Sequence, residues 1–302
     1  MKSILLCLLT CAFVYVRVSA QEMYPDKAGK HLYYGVSGGY GFPGLGQGTF
    51  YWTDRITQSN GTMITTKQFS LGKGPTASLY GGIMFSRHLG AEIGLNCVIK
   101  ATMSAKMDDG TSGSINQQTW GAQSTMLRII PAIRLLLGEK RIHLYTRSGL
   151  IMGIALHCEF DYVQMLAADK TESSWLYSGR PSWGFMQSVG ALYNLTKNIS
   201  VYAELTGIIE TWAPAHSKAT KDIMNGVDQL PAMNTSQKEA VYSSNIITYS
   251  YDANGNRILD PNRPTPYAKV YYNYNSIGFN IGMHVKFGKR FFKDKARYDL
   301  GN

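Results

Sequence analysis

His157, Cys158 and Glu159 are the neighbouring side chains best suited to chemistry. A thiol, an imidazole and a carboxylate are the parts of an activated nucleophile. On a β-strand, however, successive side chains point to opposite faces, so His157 and Cys158 diverge and the base cannot reach the thiol. Outside the first twenty residues the other cysteine is Cys97. Cys97 and Cys158 fall on the third and fifth of the strands inferred below, both on the face read as lipid-facing. Two strand spacings are about 10 Å, beyond the roughly 7 Å between Cα atoms that a disulfide spans. Free thiols are therefore expected. His31, His88, His143 and His284 show no metal-ligand spacing, and His216 stands alone in a long loop. No metal, no cofactor and no enzymatic activity are expected.

What remains is a set of charges embedded in period-2 alternation. Leu32, Tyr34, Val36, Tyr40 and Phe42 share one face of a strand whose other face carries Tyr33, Gly35, Ser37, Gly39 and Gly41. The pattern recurs over 77–85, 89–99, 127–137, 142–154, 185–193, 199–205 and 277–287. That makes eight strands, with charges such as Glu92, Arg128, Arg134, Arg147 and Glu204 opposite the large apolar groups. A water-soluble barrel would turn its charges outward; here they fall on the narrow inner face. Pro131 lies within one of these strands and cannot donate to a ladder, so a bulge or a local break is expected there.

The connections alternate in length. Turns at Ser86–His88, Gly138–Lys140 and Thr196–Asn198 are short, whereas 43–74, 104–123, 159–182 and 210–270 read as long loops. Short turns at one end and long loops at the other characterise transmembrane β-barrels. The fold class expected is therefore all-β: an eight-stranded antiparallel up-and-down transmembrane barrel with short periplasmic turns and long extracellular loops. An even strand count puts both termini in the periplasm.

Composition agrees. Charged residues make up 17% of the chain, below the roughly 25% of soluble domains. Gly (31) and Tyr (20) are abundant. Lys2, the apolar run from Ile4 to Val16 and Val18-Ser19-Ala20 form a signal peptide cut after Ala20. That run is shorter than the ~20 residues of a membrane-spanning helix. The expected organisation is a signal peptide over 1–20, an outer-membrane barrel over 21–288 and a short basic periplasmic tail over 289–302. The net charge of +10, two of which belong to Lys2 and Arg17, would suit lipopolysaccharide phosphates as well as it suits simple solubility.

A weak repeat supports the hairpin layout. Phe85-Ser86-Arg87-His88-Leu89 and Leu195-Thr196-Lys197-Asn198-Ile199 are both turns leading into a strand with an inward glutamate, Glu92 or Glu204. With the Gly/Tyr-rich first strand (Tyr33 to Phe42) and a last strand ending at Phe287, the chain over 31–288 resembles the OmpA/OmpX-like outer-membrane barrels, in particular the porin-family barrels of Bacteroidetes. The resemblance implies a Gram-negative cell envelope and insertion by the barrel-assembly machinery, which reads an aromatic end to the last strand. The chain departs from the family by continuing past Phe287, and Gly288 to Asn302 is too short for an appended peptidoglycan-binding domain. The stretch Tyr249 to Arg257 is similar to one unit of the YD repeats of toxin shells, but as a single copy it reads as a hairpin turned at Asn254-Gly255. Asn60-Gly61 is a second hairpin signal.

An eight-stranded barrel has an interior just filled by side chains. Counted from the short turns, Glu92, Arg134, Arg147 and Glu204 share one layer of the lower half, and Lys100 and Arg128 sit in the outer lumen. Buried charges need partners, so the four are expected to form a salt-bridged plug, with Glu92–Arg134 the foremost pair; a gate is the functional alternative. The leading expectation is a non-enzymatic outer-membrane protein with a structural or surface-interaction role carried by its long loops. The alternative is a small porin-like or hydrophobic-compound transport barrel, and a lipid-modifying enzyme ranks third. Expected partners are outer-membrane lipid, lipopolysaccharide and a surface or periplasmic protein, with no nucleic acid.

Overall fold

In a computed structural model, the structure describes residues 31–44, 52–58, 61–108, 116–138, 141–196, 198–244, 250–252, 254 and 257–287. The stretches read as signal peptide and basic tail, and both central residues of the hairpin turn between Gln58 and Gly61, lie outside them. In chain order the strands are β1 (His31–Pro43), β2 (Trp52–Gln58), β3 (Gly61–Lys67), β4 (Gly74–Met84), β5 (Leu89–Asp108), β6 (Asn116–Leu137), β7 (Ile142–Leu166), β8 (Asp169–Gly179) and β9 (Ser182–Asn194). They continue as β10 (Ile199–Trp212), β11 (Pro214–Met224), β12 (Val227–Asp228), β13 (Glu239–Ser243), β14 (Ser250–Tyr251), β15 (Arg257–Ile258), β16 (Thr265–Ala268), β17 (Tyr272–Asn273) and β18 (Ser276–Phe287). One helical turn, Thr235–Lys238, carries a capping box in which Asn234 and Gln237 satisfy each other's backbone.

Eight strands close a ring: β1 pairs β4, then β5, β6, β7, β9, β10 and β18 follow in turn, and β18 pairs back to β1. All of these pairs are antiparallel. The ring explains the alternation. Leu32, Val36, Ile93, Leu150, Val189, Leu205 and Ile281 are exposed on its outside, while Tyr33, Tyr80, Glu92, Arg134, Arg147 and Glu204 are buried within.

The abundance of Gly and Tyr has one physical cause. Inside the ring, Tyr33 lies across from Gly82, Tyr80 from Gly35, Tyr145 from Gly190 and Tyr202 from Gly282. A Cβ at Gly35 would sit 2.4 Å from the Tyr80 ring, and one at Gly190 would sit 2.6 Å from that of Tyr145. Each phenol thus lies flat over a missing side chain, which lets bulky groups share a narrow interior.

The expected long loops are largely extended sheet. β5, β6 and β7 run on beyond the ring, and the outer half of β7 exchanges β9 for β8 as its partner. β11, β13 and β16 add to β8 in that order, and the β2–β3 hairpin adds to β5. The wall they build includes parallel pairs, β2 with β5 and β13 with β16. Strand content was underread because polar residues continue the alternation there instead of ending it. The hairpin expected around Asn254 is present, with β14 paired to β15. At Pro131 the β5 ladder continues through Ile93, and the β7 ladder keeps one register from Ile129 opposite Met152 to Ala132 opposite Gly149. Pro131 therefore causes no bulge but a local break, since the β7 ladder has no pair at Ile130 and Pro131.

Bulges occur instead higher up, between Val98 and Ala101 of β5 and opposite Thr125–Met126 in β7. Each adds a residue and reverses which side chains point inward. Two expectations are corrected by them. Lys100, placed in the outer lumen by simple alternation, is exposed on the bulge with φ 45. Cys158, placed on the lipid-facing side, is fully buried inside. Both cysteines are free thiols. A left-handed backbone costs a side-chain-bearing residue about 1–2 kcal/mol, most when it is β-branched. Lys100→Ile should therefore lower the urea midpoint of the folded protein, whereas Lys100→Gly should hold or raise it; equal midpoints for the two would contradict this backbone account.

Candidate functional site: the charged interior of the ring

The lower interior is organised by Arg147, which projects from β7 between β5 and β10. Its Nη1 donates to Glu92 Oε1 at 2.8 Å and its Nη2 to Glu204 Oε1 at 2.5 Å. The second oxygen of each glutamate is also occupied. Tyr33 donates its hydroxyl to Glu92 Oε2 at 3.0 Å, and Tyr145 donates to Glu204 Oε2 at 2.9 Å. Asn280 Nδ2 adds a contact to Glu204 Oε1 at 3.3 Å. Two carboxylates shut away from water are held by one guanidinium fork and two phenols, which is the pairing that burial of charge demands.

Arg134 has a different role from the one expected. Its Nη1 lies 3.8 Å from Glu92 Oε2, an ion pair without a hydrogen bond. The guanidinium instead sits over the rings of Tyr145 and Tyr33, 4.4 Å and 5.1 Å from their centroids. Its Nη1 lies 3.4 Å from His284 Nδ1, and the His284 ring packs on Tyr33 at 4.8 Å. Cation–π contact in a desolvated site is worth about 2 kcal/mol, so aromatic faces supply much of what Glu92 does not. The short pair is Glu92–Arg147, not Glu92–Arg134. All four residues read from the sequence, Glu92, Arg134, Arg147 and Glu204, nonetheless lie in this one layer.

A second layer lies above it. Arg128 Nε donates to Glu210 Oε2 at 2.6 Å, and both side chains are fully buried. Arg128 Nη1 donates to Asn96 Oδ1 at 3.1 Å and Nη2 to the Tyr274 carbonyl at 3.3 Å. Ser182 donates to Glu210 Oε1 at 2.6 Å. Glu210 is the first residue of the stretch 210–270 read as a long loop. The signal that could have found it is parity: β10 keeps Ser200, Tyr202, Glu204, Thr206, Ile208, Glu210 and Trp212 on one buried face. Lys100, by contrast, does not join Arg128.

Between the layers lies a cavity of about 40 Å³, lined by Ser78, Glu92, Asn96, Arg147, Thr206 and Asn280 among others. That is room for no more than a water or two. Above the Arg128 layer the mouth of the ring is filled by an apolar cluster containing Leu71, Met126, Cys158, Trp212 and Tyr274. Leu71 and Tyr274 come from segments that tuck in from outside the ring, with Leu71 N–H donating to the Asn273 carbonyl at 2.9 Å.

The residues that invited a catalytic reading do not converge. His157 Nε2 lies 3.3 Å from Glu159 Oε2 on the exposed side of the wall, while Cys158 points into the apolar cluster. Among the described residues, no group of three or more His, Cys, Asp or Glu could hold a metal ion.

No family model and no curated protein matches the chain. Among solved structures, a Pseudomonas aeruginosa FadL homologue aligns over 85% of this chain and 89% of that chain, at 8% identity and a TM-score of 0.19. A likeness that low carries no argument about fold or activity.

Removing one member of a buried ion pair strands its partner, at about 3–5 kcal/mol. Arg128→Met alone should cost that much in urea unfolding. Adding Glu210→Met should recover at least half of it. Additive losses would show that the two do not act as a pair.

Proposed function

We propose that this chain is a non-enzymatic outer-membrane β-barrel protein of a Gram-negative envelope. In this reading the eight-stranded ring spans the membrane, its lumen is plugged by the two charge layers, and the sheet wall outside the ring makes the surface contacts. The observation that carries it is the inverted polarity of the ring. Large apolar side chains cover the outside, and six charged residues lie buried inside. In water such an exterior would be a broad unsatisfied apolar surface; in hydrocarbon it is the required one. The closed ring also leaves no strand edge unpaired at that level, as a lipid environment demands.

A surface role is favoured over transport by what crosses the interior. Arg147 bridges β5 and β10 on opposite sides of the ring, the Arg128–Glu210 pair spans from β6 to β10 higher up, and Trp212 and Tyr274 fill the mouth. A transport path would have to break both layers. The OmpA/OmpX-like resemblance, the cleaved signal peptide, periplasmic termini, insertion by the barrel-assembly machinery and contact with lipopolysaccharide all belong to this same proposal.

The membrane assignment is tested on the belt. Ile93 and Leu150 are exposed on the outside at mid-height. Arginine at the midplane of a lipid-facing strand costs about 2–4 kcal/mol, whereas at an exposed site in water it costs little. Ile93→Arg and Leu150→Arg should each lower folding stability in lipid vesicles by that amount. Unchanged stability in vesicles for both variants would contradict a membrane-spanning ring.

A further inference from the structure

Above the plugged mouth, the wall curls around a cleft of about 850 Å³. It lies on the outer side of the Tyr272 ring and is walled by Trp120, Phe160, Tyr162, Trp175, Tyr242 and Tyr267. The rings brace each other into rigid faces. Trp120 rests on Tyr162 at 4.3 Å between centroids, Phe160 meets Tyr272 at 4.8 Å, and Tyr242 stacks on Tyr267 at 5.9 Å. We infer that this cleft is a binding site for a neutral, largely apolar small molecule built of several rings.

Three observations select that ligand class. The volume lies within the about 300–1,000 Å³ of sites for small organic ligands, and the wall offers flat aromatic faces. The polar groups in the wall are neutral hydroxyls, such as Ser217, whose Oγ lies 3.1 Å from the Tyr242 hydroxyl. Among the described residues no cation lines the cleft; the guanidinium of Arg257 lies over the Tyr267 ring, 5.5 Å from its centroid, and donates to the Pro266 carbonyl at 2.8 Å, so it is engaged by the wall itself. Among the described residues the carboxylate at its border is Asp161, which accepts a hydrogen bond from Ser174 at 2.6 Å. Asp161 and Ser174 are cross-strand partners. They alternate with the Phe160–Trp175 and Tyr162–Ser173 pairs that form the cleft, so the carboxylate points to the other face of the sheet. A glycan would want planar polar side chains for its hydroxyls, and the cleft face of the wall supplies none among the described residues.

The inference deepens the proposed surface role by naming what the outer wall takes. The test is equilibrium dialysis of the full chain in lipid nanodiscs against progesterone, a neutral four-ring probe, with empty nanodiscs as the reference and cholate as an anionic four-ring competitor. Saturable uptake of one progesterone per chain above the reference is expected. Trp175→Ala should weaken it at least tenfold. So should Ser173→Asp, which puts a charge on the cleft face of the outer wall beside Tyr162 and leaves the ring untouched. Cholate at equal concentration should displace little. Uptake equal to empty nanodiscs, uptake indifferent to both substitutions, or equal displacement by cholate would each overturn the proposal. A chain that fails to enter nanodiscs contradicts the membrane reading instead, and lipid-free dialysis then reads the cleft separately.

Discussion

Everything inside the ring is arranged around one guanidinium. Arg147 offers one N–H group to each of two carboxylates from strands on either side, the pairing that burial of all three charges requires. The phenols of Tyr33 and Tyr145 close the remaining lone pairs, and they reach them only because Gly82 and Gly190 leave their rings room to lie flat. Arg134 is then held by the same two rings. The layer thus links β1, β4, β5, β6, β7, β9, β10 and β18 through side chains as well as through the ladder. An eight-stranded ring is small enough for this to happen, since side chains from opposite walls meet at its centre.

The second layer repeats the logic with different parts. Arg128 and Glu210 pair directly, and Asn96, Ser182 and the Tyr274 carbonyl add further hydrogen bonds to the pair. Tyr274 belongs to a segment that folds back into the mouth, so this pair also anchors the connection between the ring and the outer wall. The wall itself owes its form to β7, which pairs with β9 below and β8 above. That exchange of partner at the level of the bulge lets a ring of eight strands open into a broader sheet with an aromatic inner face.

Much of this was legible in the sequence. Strict alternation marked all eight ring strands, and counting residues from the three short turns brought Glu92, Arg134, Arg147 and Glu204 to one height. The misreadings have two physical sources. A bulge cannot be seen in alternation, yet it reverses parity beyond it; that misplaced Lys100 and Cys158. Polar residues, which look like strand ends in the sequence, also continue strands here. Glu210 is polar because it faces Arg128, and much of 104–123, 159–182 and 210–270 is strand although polar residues interrupt its apolar pattern. The choice of Arg147 over Arg134 as the bridge depends on side-chain reach across the ring, which sequence spacing does not encode.

The central claim is that two charge layers and an apolar mouth close the interior of a membrane-spanning ring. Planar-bilayer conductance of the refolded protein tests it most directly. The account predicts insertion without steady channels. Stable, reproducible openings in the unmodified protein would contradict it, because no ion could pass with Arg147 and Arg128 paired as they are here.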